Sequence, residues 1–129
     1  TNAKLHHLEN KIKFIHMDID KHNSNKYDLV LSNPPYIKNI ELSRLEDDIK
    51  CFEPKLALRG GLDGYEEIKK VIRKSSELLK ERGKLIIEIG KGQKEQTLIF
   101  LKKNGFYINK ICKDFSGKDR CIVSTKINK

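Results

Sequence analysis

The sequence predicts an α/β domain built on a mostly parallel sheet, with an antiparallel strand pair added at its C-terminal end. Two patterns carry this. First, β-prone runs alternate with helical stretches from Tyr27 to Lys103, the arrangement that yields parallel strands joined by helical crossovers. Second, Phe106 to Cys112 and Cys121 to Ile127 are β-prone runs separated only by the polar stretch Lys113 to Arg120, which suits an antiparallel pair.

Taken in order, Ala3 to Glu9 places Leu5 and Leu8 three apart, as in the last turns of a helix. Lys13 to Ile19 predicts a short strand with Asp18 near its end, and Asp20 to Lys26 a polar loop. Tyr27 to Ser32 predicts a second strand. From Ile37 to Leu58 the pattern is poor, with a short helix over Glu41 to Ile49 at most, and this stretch is expected to cover the loop before it. Asp63-Gly64-Tyr65-Glu66 is an Asp-x-x-Glu capping pattern. Behind it Tyr65, Ile68, Val71, Ile72, Leu78 and Leu79 share one helical face, with Gly83 predicted as the stop. Leu85 to Ile89 predicts a buried strand by its continuous apolar character. Gly90 and Gly92 then turn the chain into a helix from Gln93 to Lys103, closed by Asn104-Gly105.

Composition bounds the function. At 129 residues this is one domain or part of one. No apolar run is long enough to span a membrane, and no signal-peptide pattern opens the chain. The net charge is +9, but 22 of the 27 basic residues are Lys and they are dispersed. Dispersed Lys reads as a solvated surface, so the charge permits nucleic acid without arguing for it. Cys51, Cys112 and Cys121 are odd in number and lack Cys-x-x-Cys spacing. They indicate neither a disulfide framework nor a zinc knuckle, are read as having no chemistry, and suit a reducing, cytoplasmic setting. His16, Asp18, Asp20 and His22 sit on a strand and the loop after it, where alternating residues rarely converge on one ion, so no metal is expected.

The stretch with chemical content is Asn33-Pro34-Pro35-Tyr36, directly after Asp28-Leu29-Val30-Leu31-Ser32. Neither proline can donate a ladder hydrogen bond, so the strand must stop, and each proline pushes its predecessor toward extended backbone. The result is a stiff loop at the carboxyl end of a strand, where open α/β sheets place ligands. An amide side chain, two prolyl carbonyls and an aromatic face suit a flat, neutral group bearing an NH2. The Asn33 oxygen and the Pro34 carbonyl would accept its hydrogens, and Tyr36 would pack on its plane.

Asn33-Pro34-Pro35-Tyr36 resembles the acceptor motif of S-adenosyl-L-methionine-dependent methyltransferases that act on planar NH2 nitrogens. Phe52-Glu53-Pro54, Leu56-Ala57-Leu58, Gly60-Gly61-x-Asp63-Gly64, Glu88-Ile89-Gly90-x-x-Gln93 and Asp114-x-x-Gly117-x-Asp119-Arg120 are similar to the release-factor glutamine-N5 methyltransferase family. The resemblance implies the C-terminal part of a Rossmann-like class I methyltransferase sheet, with the first two strands and the cofactor glycine loop not in this sequence. It therefore implies an N-terminal extension in the functional protein. Without those strands, the stretch from Phe14 to Met17 is expected to re-pair locally (beside Leu29 to Leu31, for example), to swap between molecules, or to lack order. Glu88-Ile89-Gly90-Lys91-Gly92 mimics a cofactor loop, but it follows the acceptor motif instead of preceding it, and is read as a structural turn.

The resemblance further implies a cytoplasmic enzyme that methylates the glutamine of a Gly-Gly-Gln loop on a peptide chain release factor, with no membrane and no nucleic-acid partner. Asn33, Pro34 and Tyr36 would be catalytic, and Asn33, Pro34, Pro35 and Tyr36 would bind the substrate. Asp18, Ile19 and Asn33 would face the cofactor, with Asp18 toward the adenine amino group, though a capping role for Asp18 fits the sequence equally well. Glu53 either lines the acceptor pocket or pairs within the covering loop. Two other readings stay open: methylation of exocyclic base amines, and a non-catalytic piece that keeps only the acceptor-binding surface.

Overall fold

The computed structural model describes residues 2–23, 26–35 and 64–127. The elements are α1 (Asn2–Leu5), a 3₁₀ turn (Ile19–Lys21), β1 (Tyr27–Ser32), α2 (Glu66–Leu78), β2 (Leu79–Glu88), α3 (Lys94–Lys103), β3 (Phe106–Lys113) and β4 (Asp119–Lys126).

The strands form one mixed sheet in the order β1-β2-β4-β3. β1 and β2 run parallel, a geometry that needs a crossover, and α2 lies on that connection. The expected C-terminal strand pair is present, and β4 lies antiparallel to both β2 and β3.

Alternation along the strands decides where the core sits. Val30 of β1, Leu85 and Ile87 of β2 and Ile122 of β4 point to one face. There Leu85, Ile87 and Ile122 join Ile68, Val71 and Ile72 of α2 and Leu101 of α3 in a single buried cluster, with Val30 partly buried against it. Ile68, Val71, Ile72, Ser75 and Leu78 recur at helical spacing and are all buried, so α2 lays one apolar stripe on the sheet. The α2 helix opens at Tyr65 without a side-chain cap, and Asp63 of the predicted capping pattern lies outside the described residues. The alternate residues Leu29 and Leu31 face the other way, and Leu31 is 68% exposed.

Two expectations are corrected. The predicted strand over Lys13 to Ile19 does not form. The segment runs as coil into the 3₁₀ turn that Asp18 caps. A strand needs a ladder partner to satisfy its backbone, and among the described residues β1 pairs with β2 alone. Ile15 and Met17 instead share an apolar groove with Leu29 and Leu31, while Phe14 is 77% exposed. The segment therefore lines a groove beside β1 without joining its ladder.

The second correction concerns Gly83, which lies inside β2 and does not stop the helix. The α2 helix ends at Leu78 and β2 starts at Leu79 with no linker. Tyr27 pairs with Leu79 and Leu29 with Lys84, so the intervening β2 residues bulge out of the ladder. Arg82 takes φ 67° within the bulge. A Cβ on Gly83 would fall 2.8 Å from the Lys80 carbonyl oxygen, so this position requires glycine. Lys80 pairs with Asp28 across the two strands at 3.0 Å.

Among the described residues no helix is long and apolar enough to cross a membrane.

Candidate functional site

β1 ends opposite β2 with Ser32 paired to Ile87. Asn33-Pro34-Pro35 therefore leaves the sheet at its carboxyl edge, beside Glu88 and the loop that follows it. Pro34 is buried, Pro35 is half-buried and Asn33 is exposed. Pro34 thus sits against the protein, while Asn33 before it stays open to solvent. Tyr36, the covering stretch from Ile37 to Leu58 with Glu53, and Cys51 lie outside the described residues.

Asp18 does two jobs. Its Oδ1 accepts the Asp20 backbone N–H at 2.9 Å, capping the 3₁₀ turn. Its carboxylate also lies 3.3 Å from the Lys70 ammonium on α2. The Asp20 amide, then Lys70, hold the Asp18 carboxyl below its ordinary value. Burial works against the Lys70 ammonium, but Asp18 and Glu67 outweigh it and raise Lys70. The Asp18 side chain keeps 49% of its exposure. Its neighbour Ile19 lines a groove of about 350 Å³ with Met17, Val30 and Leu31. Thus Ile19 and the flank of β1 come together, while Asp18 is joined to α2. No sequence signal pointed to Lys70 as its partner.

Asp20 and His22, which stand near Asp18 in sequence, turn to other partners. The His22 Nε2 sits 2.9 Å from the Tyr27 hydroxyl, and Asp20 lies 3.8 Å from Arg73. Among the described residues no group of three or more His, Cys, Asp or Glu side chains converges on a point.

The carboxyl edge is held by two polar networks. Gln93 is buried at the start of α3. Its Oε1 accepts the Gly90 N–H at 2.8 Å, and its Nε2 donates to the Gly64 carbonyl at 2.9 Å. One amide thus ties the turn after β2 to the chain entering α2, and Gly92, at φ 76°, makes the turn. Replacing Gln93 with Leu strands a buried N–H and a buried carbonyl, at about 1–3 kcal/mol each. Chemical denaturation should show that loss, with faster hydrogen exchange at the Gly90 amide.

The second network is the β3–β4 turn. Asp114 accepts from Ser116 N–H (2.9 Å), Ser116 Oγ (2.7 Å), Lys118 N–H (3.0 Å) and Arg120 Nε (3.0 Å). The Ser116 hydroxyl first, then the Lys118 amide and Arg120, hold its carboxyl well below the usual range. The Arg120 carbonyl accepts the Ile89 N–H at 2.8 Å, joining this turn to the end of β2. A carboxyl depressed in the folded state stabilises above its unfolded pKa of about 3.9, and that stabilisation fades as pH falls further. Melting temperature should therefore drop from about pH 5 downward. The Asp114→Asn variant should start lower at neutral pH and show a shallower acid slope.

Two relatives place the chain. It is 37% identical over 128 residues to the release factor glutamine methyltransferase of Clostridium botulinum, covering 97% of this chain and 45% of that protein. It is 34% identical over 122 residues to the protein of the same name from Clostridium acetobutylicum, covering 92% and 43%. This chain belongs to the release factor glutamine methyltransferase family. It spans less than half the length of those two relatives. No protein-family model matches it.

The backbone agrees with a partial class I methyltransferase fold. TrmN from Thermus thermophilus superimposes with a TM-score of 0.57 over 97% of this chain and 31% of its own, at 16% identity. A methyltransferase from Pyrococcus furiosus gives 0.52 over 82% and 44%, at 17% identity. In this member of the release factor glutamine methyltransferase family, Asn33-Pro34-Pro35 leaves the strand that pairs parallel with β2. The Gln93 and Asp114 networks fall on the motifs that resembled the family in sequence, but their bracing role was not readable there, because it depends on which loops the fold brings together.

Proposed function

We propose that the protein carrying this chain transfers a methyl group from S-adenosyl-L-methionine to the side-chain amide nitrogen of a glutamine, in the Gly-Gly-Gln loop of a peptide chain release factor. The observation that supports this most is the exposed Asn33 at the carboxyl end of β1, followed directly by the buried Pro34.

The cofactor supplies an electrophilic methyl on a sulfonium sulfur. Residues here suit it in part: Asp18 is a half-exposed carboxylate able to accept from an amino group, and Ile19 belongs to an apolar wall against which a flat ring can lie. Asn33, next to both the acceptor and the electrophile in this reading, completes the set.

An amide nitrogen is a poor nucleophile because its lone pair is delocalised into the carbonyl, so the protein's contribution is orientation. The Asn33 oxygen and the Pro34 carbonyl accept the two N–H bonds of the acceptor and fix its plane. Pro35 holds the loop in shape, and Tyr36 packs on the amide. The relatives' names support a release factor as the substrate.

The test is to incubate the full protein with methyl-labelled S-adenosyl-L-methionine and either release factor or nucleic acid. Label on the release-factor glutamine is the expected result. Label on base amines would move the acceptor class to nucleic acid, and label on neither would leave only a binding surface.

A further inference from the structure

Cys112 and Cys121 face each other directly across the β3–β4 ladder, and both are free, half-buried thiols. The Ile89 N–H donates to the Arg120 carbonyl, so Arg120 directs its backbone groups toward β2. Backbone direction alternates along a strand, so Cys121 turns its own toward β3. The Cys112–Cys121 pair is thus a hydrogen-bonded pair, in which the Cα atoms lie about 5.5 Å apart. That is within the span a disulfide bridges. Glu88 is the β2 partner of Cys121, so the three side chains form one row across the sheet on the face opposite the α2–α3 core.

We propose that Cys112 and Cys121 form a reversible cross-strand disulfide that locks the root of the Asp114–Arg120 turn, making this hairpin a thiol-modification site. The oxidant is a small-molecule disulfide of the glutathione class. The Cys112 thiolate attacks it, forming a mixed disulfide and releasing one glutathione thiol. The Cys121 thiolate then attacks the Cys112 sulfur and releases the second. Two protein thiols become one disulfide, and one external disulfide becomes two thiols that take up both protons. Burial, then Glu88 and Cys112, push the Cys121 thiol up, which fits its place as the second thiol to react. The ladder carries a register shift just after Cys112, giving the backbone local freedom to close the bond. A disulfide at such a site is also readily reduced.

The test equilibrates the chain in glutathione buffers from reduced to oxidised, then alkylates, digests with trypsin and maps the products. The expected product is Ile111–Lys113 linked to Cys121–Lys126, lighter by two hydrogens than the separate thiol peptides and lost on treatment with dithiothreitol. Amide exchange at Gly117 and Lys118 should slow on oxidation. The Cys51→Ser variant should keep the link and Cys112→Ser should lose it. Full alkylation of both thiols at every ratio, a link to Cys51, a link between chains, or glutathione adducts alone would overturn the proposal. The unsubstituted chain decides the question even if a variant fails to fold.

Discussion

Asn33→Ala in the protein carrying this chain should lower methyl transfer to release factor by about 10²-fold or more, the size of effect seen when a positioned hydrogen-bonding group is removed from a reacting centre. Its melting temperature should barely move. Asn33 is exposed and follows the last residue of β1, so its side chain contributes little to the core. Truncation deletes the acceptor for one N–H of the incoming amide and leaves the nitrogen free to rotate away from the methyl. A misplacement of about 1 Å is enough for a loss of this order. Asn33→Asp retains an acceptor oxygen but adds a negative charge and removes the NH2, so it should also lose activity. Turnover by Asn33→Ala within a few-fold of the parent would refute the role given to the loop.

Ile87→Ala should cost about 3 kcal/mol, within the range for emptying a fully buried aliphatic site. Ile87 has no exposed surface, lies in the main core cluster and pairs in the ladder with Ser32, the residue before Asn33. The cavity would open beneath the strand end that displays the carboxamide, so activity should fall together with stability. Ile87→Val, which removes one methylene, should cost about 1 kcal/mol. Urea unfolding of the two variants checks both values. A loss below about 1 kcal/mol for Ile87→Ala would mean that the site collapses or is not buried as described.

Much of this fold was legible in the sequence because several local rules agreed. The period of Ile68, Val71, Ile72 and Leu78, the apolar run at Leu85 to Ile89 and the Asn104-Gly105 stop each specify one structure, and the structure has it. The misreadings fall where local and tertiary signals part. Leu79-Lys80-Glu81-Arg82 continues the helical pattern and is rich in helix formers, yet the chain there forms strand. Ladder pairing of Leu79 with Tyr27 and of Lys84 with Leu29 overrides propensity, and Arg82 takes a positive φ within the bulge between them. Lys13 to Ile19 has the composition of a strand, but a ladder requires a second chain segment that no local pattern supplies. Of the candidate site, the placement of Asn33 followed from two prolines after a strand. The Lys70 partner of Asp18 did not, because it depends on how α2 packs beside the 3₁₀ turn.

The direct passage from Leu78 to Leu79 bears on how this domain can be cut or joined. Helix and strand meet there without slack, and both residues are buried. An inserted tag or a split point at that junction would force apolar surface into water and drag the parallel pair out of register. The exposed Ser116–Lys118 bend buries no apolar surface, so a fusion or a new pair of termini there would cost only the Asp114 hydrogen bonds and leave the core and the parallel pair in place.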